Sequence, residues 1–277
     1  MKIELIETGY FYADGGAMFG AIPKTSWVRR YESDGKNGCI LAMRSALVKT
    51  DDGHVILIDN GAGTKQLKKL SGYRLFNLMD LRTELASNHV CPEEVTDMVF
   101  THLHFDHCGY TTQFLDKQYS LAFPNATHWV SRAQWENSLH PHPLEKASYF
   151  KENMQAVFDA GQLKLIDSDT KLCPSVELRL FDGHTKGQIA VYMSGEKRTY
   201  VFAGDVVPLE ANLSPEWISA YDVEPLISYN EKIRMLEEAA DKEQAIIFCH
   251  DAYMRCCTIR RVQNFYRRSE EIAELEI

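Results

Sequence analysis

Thr101-His102-Leu103-His104-Phe105-Asp106-His107-Cys108-Gly109 follows directly on the apolar run Asp97-Met98-Val99-Phe100. The run reads as a short buried strand, and the cluster begins where that strand would end. Side chains alternate faces along extended chain, so His102, His104 and Asp106 can point the same way, and a turn at His107 can bring a fourth donor round. Three imidazoles and a carboxylate this close together pack poorly and repel one another once protonated. A divalent cation resolves that conflict. Neutral imidazole and carboxylate are ligands of Zn²⁺, Mn²⁺ and Fe²⁺, and sets rich in histidine lean towards zinc or iron.

Elsewhere the chain repeats the theme of an apolar strand releasing a metal-type residue at its exit. Phe181-Asp182-Gly183-His184 presents His184 on a loop bounded by glycines, Phe202-Ala203-Gly204-Asp205 presents Asp205, and Ala245-Ile246-Ile247-Phe248-Cys249-His250 presents His250. The recurrence predicts one shared metal centre. Leu57-Ile58-Asp59 ends an earlier strand in an acid. Buried carboxylates need partners, so Asp59 is a candidate to hold a metal-binding histidine by its second ring nitrogen; capping the following turn is the alternative.

At 277 residues, with 45% hydrophobic and 25% charged residues, the chain has the composition of an ordinary globular protein. We read it as a single domain spanning residues 1–277. The net charge is −9 and the basic residues are scattered, which argues against nucleic acid as a partner. No apolar stretch reaches bilayer-spanning length and the N-terminus reads as a strand, so the expectation is no membrane association and a cytoplasmic location. Seven cysteines without CxxC spacing read as reduced, mostly buried thiols; Cys108 and Cys249 stand beside candidate ligands.

The pattern predicts strands at 2–8, 40–49 and 54–59, the last two joined by the turn Asp51-Asp52-Gly53. Between them, the glycine-rich segment from Asp14 to Lys24 reads as a loop. It carries Met18 and Phe19, with Trp27 just beyond. These large apolar groups pack on the sheet, wall a substrate pocket, or make a subunit contact that would give a homodimer. Helices are expected over 75–88, from the cap Ser131, over 144–160 with Gly161 as its stop, and over 229–240. Further strands are expected at 127–130, 163–166, 176–181, 188–193 and 200–203. His140 and His142 flank prolines and read as loop residues, and Arg260, Arg261, Arg267 and Arg268, with the acidic residues that follow to Ile277, read as a solvated face.

Taken together, His102, His104, Asp106, His107, His184, Asp205 and His250 form the HxHxDH…His…Asp…His series, and in this the chain resembles the metallo-β-lactamase-fold hydrolases. The resemblance implies an α/β architecture, a four-layer αββα sandwich of two mixed sheets with helices outside. It also implies a dinuclear centre of two divalent metal ions, zinc first, with manganese, iron or cobalt as alternatives. His102, His104 and His184 would hold one ion, Asp106, His107 and His250 the other, and Asp205 would bridge them. Zinc β-lactamases of the commonest subclass carry cysteine where this chain has Asp205, so antibiotic hydrolysis is not expected.

The segments 14–20, 101–107 and 217–225 are similar to the quorum-quenching N-acyl-homoserine lactonase and organophosphate-hydrolase branch. That similarity implies a small ester-like substrate attacked by a metal-bridging hydroxide, with Asp106 as the catalytic acid–base and Met18, Phe19, Trp27, Trp217 and Tyr221 around the substrate. Phosphotriesters, thioesters and aryl esters are the alternative substrates. The lactonases carry a tyrosine three residues after the bridging aspartate where this chain has Pro208; Tyr221 and Tyr110 are the candidate phenols to replace it. Electron-transferring iron relatives need an attached flavin module, for which this length has no room, and non-catalytic scaffolds tend to lose ligands, of which none is lost here.

Overall fold

Central strands buried along nearly their whole length build two mixed sheets in the computed structural model, which describes residues 1–263, 265–273 and 275. The first sheet uses β1 (Lys2–Asp14), β2 (Gly38–Lys49), β3 (Val55–Ile58) and β4 (Asp97–Val99). Past a small hairpin of β5 (Thr112–Leu115) and β6 (Gln118–Leu121), it is completed by β7 (Thr127–Ser131) and β8 (Leu163–Ile166). Its order is β1-β2-β3-β4-β7-β8, antiparallel up to β3 and parallel beyond it.

The second sheet runs in simple succession through β9 (Thr170–Cys173), β10 (Val176–Phe181), β11 (Gln188–Ser194), β12 (Thr199–Phe202), β13 (Ala245–Ile247), β14 (Cys256–Val262) and β15 (Phe265–Glu271). Only its β12–β13 pair is parallel among the described residues.

The inner faces meet in one apolar layer, in which Val48, Ile56, Ile58 and Val99 of the first sheet pack with Val191, Phe202 and Ile247 of the second. Outside the first sheet lie α3 (Leu81–Ser87), α5 (Arg132–Leu139) and α6 (Lys151–Asp159), seated through Leu81, Leu85, Trp135, Met154 and Val157. Outside the second lies α7 (Pro225–Asp241), seated through Met235, Leu236 and Ala239. This is the αββα sandwich. No helix among the described residues is long and apolar enough to cross a membrane.

Several local expectations shift. β1 runs on to Asp14, bulging between Glu7 and Gly9. The segment read as a loop holds α1 (Gly15–Phe19), capped by the Asp14 carboxylate on the Gly16 and Ala17 amides at 2.8 and 3.2 Å, and α2 (Lys24–Trp27). The helix expected from 75 begins only at Leu81, because Arg74 and Asn77 take left-handed backbone (φ 49° and 47°) and Phe76 pairs with Tyr10. The helix expected over 144–160 shortens to α6, since Tyr149 and Phe150 are extended. The stop at Gly161 (φ 67°) and the Ser131 cap on the Gln134 amide stand.

Arg260, Arg261, Arg267 and Arg268 are exposed, on the β14–β15 hairpin. Part of the acidic run that follows, at 274, 276 and 277, lies outside the described residues.

Candidate metal centre

The parallel strands of both sheets deliver their C-terminal ends to one edge of the sandwich. Asp59 follows β3, the His102 cluster follows β4, Asp205 follows β12 and His250 follows β13. The two sheets are tied together there by backbone. Ala42 and Arg44 of β2 donate to the carbonyls of His250 and Cys249 (2.8 and 3.0 Å), and Ile189 donates to Thr101 O (2.7 Å). Buried Arg44 binds Phe248 O and Asp251 O and pairs with Glu7. At the far end of the cluster, which turns as α4 (Phe105–Cys108), Gly109 passes against Ala62 so closely that a Cβ would lie 2.2 Å from the Ala62 oxygen. Only glycine fits.

All seven residues expected as ligands converge. His102 Nε2 and His184 Nε2 lie 3.0 and 3.3 Å from His104 Nδ1, and His107 Nε2 lies 3.1 Å from His250 Nε2. Asp205 stands between the groups, with Oδ2 3.3 Å from His184 Nε2 and Oδ1 3.4 and 3.1 Å from His107 and His250 Nε2. Asp106 Oδ2 reaches His250 Nε2 at 3.5 Å and His107 Nε2 at 3.8 Å. The triads His102–His104–His184 and Asp106–His107–His250 each place their ligand atoms within 4.8 Å of one another.

The opposite nitrogen of each ring has its own partner. His107 Nδ1 meets Asp59 Oδ2 (2.7 Å), His184 Nδ1 meets Asp222 Oδ1 (2.9 Å), His250 Nδ1 meets Ala42 O (2.8 Å), and His104 Nε2 meets Glu145 Oε2 (3.2 Å). His102 Nδ1 faces Thr101 Oγ1 at 3.1 Å, and that hydroxyl donates to Asp59 at 2.7 Å. Carboxylates and carbonyls only accept, so each outward nitrogen carries the proton and each inward nitrogen a lone pair. In their neutral forms the rings then turn lone pairs towards one another at about hydrogen-bond distance. A cation satisfies that arrangement, so the residues present fit a metal centre.

The electrostatics favour positive charge at the centre, which a cation supplies in place of ring protons: against the opposing effect of burial, Asp106 and Asp59 raise the pKa of His107, and Asp205 and Asp222 raise that of His184. Burial opposes charge on His250, yet Cys249 and Asp205 carry its pKa well above that of free imidazole. Burial, with neighbouring histidines, holds His102 well below it. Asp205 is buried, yet His250, His184 and His107 keep it well below the usual carboxylate range.

The centre floors a cleft whose walls include Phe11, Met18, Leu41, Tyr73, Phe105, Leu144, Pro208 and Tyr221. Of the five side chains expected around the substrate, Met18 and Tyr221 line this cleft. Phe19 and Trp27 sit behind it, 0% and 1% exposed and stacked at 5.0 Å, with Trp217 edge-on to Phe19 at 5.7 Å. They support the wall, because burying their rings in the chain's own core removes more apolar surface from water than the cleft edge could. That burial also leaves neither ring free for a subunit contact. The Tyr110 hydroxyl binds Asp80 at 2.6 Å and borders a different groove, whereas Tyr73, not singled out in the sequence, faces the centre. Glu145 and Asp222 were likewise not singled out: Glu145 falls at the start of the helix expected over 144–160 and Asp222 within the segment 217–225, and nothing local marks either as a partner of a histidine. Among the described residues His140 and His142 belong to none of the metal-type groupings.

Comparison with known proteins places this geometry. The model of the Metallo-beta-lactamase superfamily matches residues 44–250. An N-acyl homoserine lactonase, AiiA, from Bacillus thuringiensis subsp. kurstaki is 28% identical over 159 residues, which is 57% of this chain and 56% of that protein. The matched part thus spans little more than half of that relative. A probable metal-dependent hydrolase from Staphylococcus aureus superposes with a TM-score of 0.88 at 26% identity, covering 98% of both chains. AidC, a dizinc quorum-quenching lactonase in complex with a product, superposes with a TM-score of 0.77 at 20% identity over 98% of this chain and 94% of that one, a likeness of fold.

Proposed function

This chain belongs to the metallo-beta-lactamase superfamily, and from that premise we propose that it is a dinuclear metal-dependent hydrolase that opens a lactone or cleaves a related ester, with N-acyl-homoserine lactones the first substrates to test. One observation carries the reading: inward-facing imidazole lone pairs and two carboxylates floor a cleft whose walls are largely apolar. When bound, two divalent ions would supply Lewis acidity and bring a shared water to a pKa of about 7. His102, His104 and His184 would hold one, Asp106, His107 and His250 the other, and Asp205 both.

The protein's own groups supply the remainder. Asp106 is 12% exposed at its side chain, and among the described residues its contacts within the centre, to His107 and His250, are long ones of 3.8 and 3.5 Å. One of its oxygens is free to orient the attacking water and to hand a proton to the departing alkoxide. The phenols of Tyr73 and Tyr221 border the same space and are placed to donate to the substrate's carbonyl oxygen as charge gathers on it. Phe11, Met18, Leu41 and Leu144 would take an acyl chain and keep water from it.

Pro208 in the wall favours a second reading. It offers no donor where lactonases carry tyrosine, which suits phosphotriesters, thioesters or aryl esters on the same centre. Metal-loaded protein should be assayed against short- and long-chain acyl-homoserine lactones by acid release, beside a phosphotriester and a thioester. Failure to open a lactone of any chain length would overturn the first reading, and turnover of the phosphotriester or thioester in its place would establish the second.

A further inference from the structure

His104 differs from the other histidines of the centre in the atom it offers. It alone turns Nδ1 inward, and its Nε2 lies 3.2 Å from Glu145 Oε2. Glu145 is itself only 6% exposed. Its Oε2 also accepts from Thr185 Oγ1 at 2.8 Å and Tyr149 OH at 2.9 Å, while Oε1 accepts from Asn137 Nδ2 at 2.8 Å. The Tyr149 ring stands edge-on to His104 with centroids 4.9 Å apart. A carboxylate saturated with donors in this way cannot swing, so the proton on His104 has one place to be.

We infer that Glu145 is a positioning residue that fixes His104 in the form presenting Nδ1, and so sets the metal affinity of the His102–His104–His184 half of the centre without setting that of the other half. The inference rests on the dinuclear reading above. Its physical basis is that a carboxylate accepting from a ligating imidazole orients the ring and makes it a more basic ligand. The other half has its own separate carboxylate, Asp59 on His107 at 2.7 Å.

Glu145 also belongs to the stretch joining α5 to α6, whose Leu144 and Ser148 border the cleft. Leu144 is 79% exposed there. One short connection therefore carries part of the substrate wall and the hold on one metal. In this stretch the chain is not one helix: Glu145 precedes a single 3-10 turn, Tyr149 is extended, and both reach His104.

The test is a Co²⁺ titration of metal-free wild type and Glu145→Gln, read as equivalents bound and as the visible d–d bands. Wild type should take up two equivalents. Glu145→Gln should keep one at wild-type affinity and bind the other about 10–100-fold more weakly, with the bands of that one altered. Equal weakening of both equivalents, or of neither, would overturn the inference. Wild type that binds fewer than two would overturn the dinuclear reading, and the inference with it. Should the variant fail to fold by circular dichroism, ¹H–¹⁵N correlation of imidazole signals in zinc-loaded wild type decides: the inference requires a His104 protonated on Nε2, and protonation on Nδ1 refutes it.

Discussion

Replacing Asp59 by asparagine probes the counterpart of that contact in the other half of the centre. Asp59 is 1% exposed and receives three donors: the Thr101 amide on Oδ1 at 2.8 Å, and the Thr101 hydroxyl and His107 Nδ1 on Oδ2, each at 2.7 Å. Asparagine has one acceptor oxygen. With that oxygen on the Thr101 amide, the new NH₂ faces two donors. The Thr101 hydroxyl can rotate away; the ring proton of His107 cannot, and must move to Nε2, where it points at His250 Nε2 3.1 Å away. The lone pair offered to a cation is then lost.

A hydrogen bond to a charged group contributes about 1.5–3 kcal/mol, and about 1.4 kcal/mol is tenfold in affinity. Asp59→Asn should therefore weaken the metal held by Asp106, His107 and His250 by about one to two powers of ten. Asp59 has left-handed backbone (φ 54°), which asparagine tolerates, so the substitution adds no backbone strain. Competition between the protein and a chromogenic chelator gives the two affinities directly. A folded Asp59→Asn protein that binds both equivalents as wild type does would refute the claim that this contact fixes the His107 proton.

Three further outcomes are expected. Stripping metal with a chelator should lower the melting temperature and zinc should restore it, because a ligand bound only by the folded state at a hundred times its Kd adds about 2.7 kcal/mol; scanning fluorimetry showing no difference would count against any resident ion. Trp27→Ala should destabilise the protein by about 3–5 kcal/mol in urea unfolding, since the ring is 1% exposed and stacked on Phe19, and an effect confined to activity would place Trp27 in the cleft instead. Lys232 is 2% exposed, its Nζ donating to Trp217 O at 2.8 Å, and burial pulls its pKa down to about 8. The unfolded chain, with a lysine pKa of about 10.4, holds the proton longer, so stability should rise with pH between about 8 and 10.4, by at most about 3 kcal/mol. Lys232→Met should lack that rise, and identical pH dependence in the two proteins would show that Lys232 is not the group responsible.

The sequence by itself determined where metal-type residues leave strands. An apolar run ending in histidine or aspartate is a local pattern, and it was legible at His102, His184, Asp205 and His250 because strand and ligand are neighbours in the chain. The acid after Leu57-Ile58 was legible for the same reason, though only the fold showed that Asp59 serves both His107 and Thr101.

What the tertiary structure alone decided lies between elements. Glu145 and Asp222 stand 41 and 38 residues from the histidines they hold, so no local spacing joins carboxylate to ring. Phe19 and Trp27 fit a cleft wall and a core equally well as residues; long-range packing against Tyr31 and Trp217 put them in the core and left Met18 and Tyr221 at the surface of the cleft. The helices expected across Asn77 and Phe150 failed because contacts to Tyr10, His104 and Phe105 outweighed local helical spacing. Spacing reports what a segment prefers in isolation, whereas which nitrogen of each histidine faces the centre follows from acceptors that distant parts of the chain bring to its other side.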